Sequence, residues 1–367
     1  MKRLLVAAAV ALVGCGERVS GADASLPPID VGWEASCAPP SEPRPEQTLR
    51  SCTGPDGAPR EHCREVWGCG GRFSMGSLDA SMCESTLGTL EVPATCRPMD
   101  RNCDLGEVIA RPGFIDAYEV SVARFRAWVR AGRPVPPPGE FIPPNYTYTA
   151  TAEGMSLPLR TDDLLPRDGE PQPQYCTYRE TPGPNDNLPI NCLGWVTASA
   201  FCWWEGKHLV TEAMWEWFAT NGGRTTLPFS DRLQGNSNLC AYGDVGRHAE
   251  CPGDGLFPAP IDAFPLGQTT TPPGVFGLWG GVRELVWTAR DTSVGRCLRA
   301  TPLNPDERTG TRVVNRGRSF ADVGAAATAY DDSRTRAGGD RNINMRWVGF
   351  RCARWVPEVP VNRCTSC

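Results

Sequence analysis

Apolar positions recur at helical spacing in three parts of this chain. Val122, Phe125, Trp128 and Val129 fall on one helical face, and Gly132 and Pro134 stop the pattern. Two further amphipathic runs lie between Pro189 and Gly223. Thr197 can cap a helix through Trp204, and Thr211 can cap a second one to about Thr220, ended by Gly222-Gly223. A short turn, Glu205-Gly206-Lys207-His208, joins the pair. This stretch holds five of the chain's 12 tryptophans, so it predicts a helical pair clamped into the main core. Elsewhere the period shortens. Phe114–Val120 alternates as a strand, Val282–Trp287 reads as a short buried strand, and Val313–Phe320 and Trp347–Arg354 read as two more.

Between these elements the chain is heavily punctuated. With 39 glycines and 35 prolines in 367 residues, the pattern predicts a loop-rich α+β domain rather than a bundle or a doubly wound sheet. Residues 133–188 read as a long surface excursion pinned through Cys176, and residues 224–275 as irregular. Residues 15–63 read as a Pro/Ser-rich linker stapled by Cys37, Cys52 and Cys63. Residues 64–356 form the domain and residues 357–367 a cysteine-containing tail.

The start refines this picture. Met1-Lys2-Arg3 precedes an apolar run from Leu4 to Val13, too short for the roughly 20 residues of a stable membrane span. Residues 1–14 are therefore read as a secretory signal. Leu12-Val13-Gly14-Cys15 resembles the bacterial lipobox, in which the cysteine takes the lipid. That resemblance implies export, lipidation of Cys15 and anchoring at the outer membrane. Cysteine usage agrees: 17 cysteines suit an oxidising compartment, and removing Cys15 leaves an even number for disulfides. Only Cys364-Thr-Ser-Cys367 has zinc-like spacing, and it lies in the tail. The net charge is −5 with no basic stripe, which argues against a nucleic-acid partner.

Seven pieces, in order, resemble the formylglycine-generating enzyme (sulfatase-modifying factor) family. Phe73-Ser-Met-Gly-Ser77 is similar to its F-x-MGS, Phe114–Val120 to F-x-ID-x-YEV, and Pro189–Trp204 to P-V-x-x-V-x-W-x-x-A-x-x-YC-x-W. Gly206–Glu216 resembles GKRLPTEAEWE, and Gly274–Trp287 resembles G-L-x-D-M-x-GNVWEWV. The last two strands resemble RGGSW and GFRCAR. The resemblance implies a loop-rich C-type-lectin-like fold. It also implies a disulfide between Cys202 and Cys352, which occupy positions bonded in some members.

Calcium sites are implied as well, because the family builds them from loop carbonyls and a few side chains. One would use Asn238, the Leu239 carbonyl, Asp254 and the Leu256 carbonyl, although Asn238 and Asp254 also suit ordinary turns. The other would use the Gly280 and Val282 carbonyls and the Glu284 carboxylate. There the expected Asn/Asp side chain is Gly277 and the asparagine of GNVWEW is Gly281. The alternative for Glu284 is a buried acid paired with an arginine.

The family's oxidases bind Cu(I) through two cysteines after RGGSW, as soft thiolates suit that ion. Here those positions are Asp322 and Ala327, so copper chemistry is not expected. Iron-dependent relatives use histidine clusters, whereas His62, His208 and His248 are scattered. Two readings remain open. One is a non-catalytic, lipid-tethered module that binds a protein, peptide or glycan. The other is a divergent metal- and oxygen-dependent oxidoreductase with Ser319, Asp322, Arg334 and Arg336 lining its groove.

Overall fold

A computed structural model describes residues 49–53, 58, 60–75, 106–136, 176–230, 258–290, 312–321, 336–340 and 345–355. Cys15, Cys37, the tail, and most of the excursion between 137 and 175 lie outside them. Among the described residues the fold is α+β, with three helices packed against short strands. None of these helices is long and apolar enough to cross a membrane.

Helix α1 (Val122–Arg130) begins where the Ser121 hydroxyl accepts the Arg124 N–H at 3.3 Å. It ends at Gly132, whose φ of 86° suits the turn. Helix α3 (Glu212–Ala219) starts from Thr211, whose hydroxyl accepts the Met214 N–H at 3.2 Å. The cap forms although Met214 stands where an acid would complete a capping box.

Helix α2 (Trp195–Trp204) departs from expectation. It starts two residues before Thr197, with extended Gly194 at its N-cap, and the Thr197 hydroxyl is buried without a partner. It is not amphipathic either, because every residue except Trp203 is buried. Packing on all sides holds this helix, so a capping side chain is not required.

Strands β1 (Glu65–Gly68), β4 (Gly113–Asp116), β10 (Cys352–Trp355) and β5 (His208–Leu209) form one antiparallel sheet in that order. Strands β2 (Gly71–Met75) and β3 (Gly106–Ala110) form a separate antiparallel pair. A second four-stranded sheet runs β8 (Arg336–Asp340), β7 (Arg312–Arg316), β6 (Arg283–Arg290) and β9 (Val348–Phe350). The last pairing, β6 with β9, is parallel. Successive residues of β6 face two cores. Leu285 and Trp287 pack with α1 and α2, whereas Val286 packs with α3, Ile115 and Val314. Burial on both faces is why this strand reads as an apolar run.

Three strand expectations are shortened. The run Phe114–Val120 stays in the sheet only to Asp116, whose side chain is committed to ion pairs. The run from Val313 leaves its sheet after Arg316, at Gly317 with φ 83°. Trp347–Arg354 divides at Arg351 into β9 and β10, which belong to different sheets. A disulfide joins Cys202 of α2 to Cys352 of β10, and another joins Cys176 to Cys192 at the return of the excursion.

Part of the segment read as linker is packed. Residues 50–52 and 60–63 form 3₁₀ turns, and Leu49, Cys52, Ala58 and Cys63 make a small apolar cluster with Ala123 of α1. The reason is polar as well as apolar. The Ser51 N–H donates to Glu205 at 2.8 Å, and its hydroxyl accepts from Arg124 Nε at 3.0 Å.

These contacts belong to a buried charge network centred on Asp116. Arg124 pairs with Asp116 Oδ2 at 2.9 Å, and Lys207 pairs with Asp116 Oδ1 and with Glu65 at 2.7 Å. Arg354 closes on Glu65 at 2.9 Å, and the Cys352 N–H donates to Asp116 at 3.3 Å. Burial alone would raise the Asp116 pKa, but Arg124 and Lys207 outweigh it and hold the carboxyl below its ordinary value.

Lys207→Met keeps the stem length and strands Asp116 and Glu65 without their shared cation. The expected loss is about 3–5 kcal/mol, read as a lower urea midpoint at unchanged slope. A variant as stable as the parent would show that the network does not hold these elements together.

Candidate functional site

The end of β4 leads within three residues to Glu119, which is 2% exposed. Facing it is the loop from Gly274 to Val282. Gly277 and Gly281 in that loop have φ of 72° and 65°, a region that suits glycine. A Cβ on Gly277 would lie 2.5 Å from Glu119 Oε2, and one on Gly281 would lie 2.5 Å from Oε1. The loop therefore wraps the Glu119 carboxylate so closely that neither position tolerates a side chain. The Val282 N–H donates to Glu119 Oε1 at 3.3 Å.

Glu284 lies two residues further along, at the start of β6, and is completely buried. It shares a face of β6 with Val286, which turns it toward α3. The Trp215 indole N–H donates to its Oε2 at 2.9 Å. Arg351, at the break between β9 and β10, reaches Oε2 at 2.7 Å and Oε1 at 2.5 Å. The rest of that guanidinium bonds the carbonyls of Asp116, Ala117 and Phe276. Glu284 is thus a buried acid paired with an arginine.

Burial raises the Glu284 pKa even though Arg351 and Trp215 favour the anion. Glu119 is raised as well. Burial and the Glu284 charge push it up to about 8, against Arg351 and the Val282 N–H. Two buried carboxylates therefore face a single guanidinium, and the site carries one negative charge too many for its surroundings. A proton or a bound cation would relieve it. Among the described residues no three His, Cys, Asp or Glu side chains converge, so a cation here would depend on loop carbonyls as well. Glu119 offers oxygen donors of the kind a hard cation takes, whereas the Glu284 Oε1 is already held by Arg351. In space, Glu119 fills the place of the side chain missing at 277.

Glu119 was missed by sequence reasoning as a site residue. The available signal was the pair of glycines where the family pattern has polar side chains, because such a loss leaves room for another group. Asn238, Leu239, Asp254 and Leu256 lie outside the described residues, so their convergence is not described. Asp322, Ala327 and Arg334 also lie outside them, and of Arg336 only the backbone in β8 is described. Ser319, 2% exposed, follows β7, and the next residue joins the two regions: the Phe320 N–H donates to the Gly281 carbonyl at 2.8 Å. Beside it, Arg318 is buried with its guanidinium 5.3 Å from the Trp279 ring centre.

With this geometry in place, comparison with known proteins is informative. Residues 54–356 match the model of the sulfatase-modifying factor enzyme 1-like domain. Over 269 residues the chain is 30% identical to mouse inactive C-alpha-formylglycine-generating enzyme 2, covering 67% of this chain and 76% of the relative. It is 27% identical over 278 residues to the formylglycine-generating enzyme of Thermomonospora curvata, covering 70% and 86%. The fold is also similar to the solved structure of PvdO from Pseudomonas aeruginosa. That match has a TM-score of 0.52 and 20% identity, and covers 86% of this chain and 100% of the other.

Gly277→Ala should cost about 1–3 kcal/mol, because a methyl there must displace the Glu119 carboxylate. In Glu119→Ala the same substitution should cost only the positive-φ strain, about 1 kcal/mol. A double-mutant cycle by chemical denaturation measures the difference. Strict additivity would show that the two residues do not share this space.

Proposed function

The chain belongs to the sulfatase-modifying factor family, and within it we propose a membrane-tethered, extracytoplasmic member whose domain binds rather than oxidises its partner. The observation that carries this reading is the replacement of the two copper-binding cysteines by Asp322 and Ala327. An aspartate is a hard ligand poorly suited to Cu(I), and an alanine has no donor atom. The 30% identity to a mouse relative named as inactive supports the same reading. Meanwhile the scaffold around the site is built with the Thr211 cap, the Cys202–Cys352 bond and the Arg351–Glu284 pair. The lipobox-like Cys15 supports a lipid anchor at the outer membrane, and the partner would be a protein, peptide or glycan held by the loops.

The purified soluble domain, supplied with Cu(I) and a cysteine-containing peptide of the sulfatase type, should neither consume oxygen nor form aldehyde. Turnover that disappears in Asp322→Ala would instead establish the divergent oxidoreductase.

Calcium is the cation of this reading, held structurally by Glu119 with Glu284 and the Gly280 and Val282 carbonyls. A second ion would sit at Asn238, Leu239, Asp254 and Leu256. The consequence is a pH dependence with a defined sign. Glu119 has its folded pKa raised from 4.5 to about 8, so its contribution to stability is complete below 4.5 and is lost as pH rises through about 8. Calorimetry in chelator should show that alkaline loss, and added calcium should remove it. Glu119→Gln should abolish both the loss and the calcium response. An alkaline loss unchanged in Glu119→Gln would exclude this residue as the origin.

A further inference from the structure

Residues 52–63 are closed into a loop by the Cys52–Cys63 bond, but both cysteines belong to the loop itself. Apart from chain continuity into β1, the described contacts that fix it to the body are non-covalent. At one end Ser51 bonds Glu205 and Arg124. At the other end His62, 1% exposed, packs edge-to-face with Tyr118, the ring centres 5.8 Å apart. Tyr118 stacks in turn on Phe276 at 4.8 Å, and Arg64 lies 5.7 Å from that ring. The His62 Nε2 lies 3.8 Å from the half-exposed Asp262 carboxylate, and Nδ1 is buried with no hydrogen-bond partner.

This setting suits a neutral imidazole with its proton on Nε2, because a bare Nδ1 needs no donor to remain comfortable beside aromatic surface. Protonation changes that. It places an N–H on Nδ1 where no acceptor waits, and a charge on a side chain shielded from water.

We infer that the two turns at Arg50–Cys52 and Arg60–Cys63 are an acid-sensitive clasp, which lets go of α1 and Tyr118 when His62 takes a second proton. The Cys52–Cys63 bond ties the two turns together, so they leave as a unit. The charged neighbours do not reverse this. Burial lowers the His62 pKa below 6.5; Asp262 and Glu61 favour the proton, Arg124 opposes it, and burial prevails. Tyr118 is pushed up by burial and stays a neutral phenol. The neutral form of His62 therefore contributes its full stability above 6.5, and that is lost as pH falls through the lower folded pKa. Glu205, at the Ser51 end, is raised by burial, so acid relieves it and the release belongs to His62.

Hydrogen exchange of the full chain at about pH 7.5 and about pH 5, corrected for intrinsic rates, tests this. Protection of residues 49–53 and 60–63 should be lost at the lower pH while that of α2 and α3 is unchanged. His62→Gln should lose the pH step. Asp262→Asn removes the group that favours the proton and should move the midpoint to lower pH. Equal protection at both pH values, or a step that survives His62→Gln, would overturn the inference. If His62→Gln opens the clasp at every pH, Asp262→Asn decides: a shifted midpoint supports the clasp and an unmoved one overturns it.

Discussion

Asp116 is the charge on which the rest of the fold depends. It is completely buried, so its ionised form survives only because Arg124 from α1 and Lys207 from the turn before β5 both reach it. Each of those cations brings a further acid, Glu205 or Glu65, and Glu65 brings Arg354. The network thus joins β1, β4, β10, α1 and the α2–β5 turn through side chains that have no acceptable alternative partner in an apolar interior. A hydrophobic core can be repacked in several ways. A buried carboxylate with two fixed cations cannot, and this selects one arrangement of the elements.

The same principle operates a few residues away with a different outcome. Arg351, one residue before Cys352, pairs fully with Glu284, but nothing comparable serves Glu119. Around Asp116 charge is balanced, and the result is scaffold. Around Glu119 it is not, and the result is a place with an unmet demand for positive charge. The Phe320–Gly281 bond brings that place against the segment that leads to Asp322. Glycines make the site possible: Gly277 and Gly281 supply both the backbone angles and the space for the carboxylate.

Much of this was legible in the chain. The Thr211 cap, the Ser121-started helix and its glycine stop depend on neighbours within a few residues, and periodicity finds such things. The ordered run of motifs was equally visible, together with the disulfide it implies. Other features were hidden. Thr197 looks like a cap by local rules, yet burial on every side of α2 starts that helix earlier. The run Trp347–Arg354 looks like one strand, but Arg351 must reach Glu284, 67 positions away, and the strand breaks there. Residues 49–63 look like linker because their polar side chains suggest solvent, whereas Ser51 is consumed by Arg124 and Glu205.

The sequence by itself determined the fold class, the helical pair and the family, because each is written in residue identity or short-range spacing. Only the tertiary structure decided which acids are balanced and which are not. Glu119, Glu284 and Asp116 are similar letters in similar surroundings, and their burial is equally deep. What separates them is the distance to cations far along the chain, a quantity that exists only once the chain has folded.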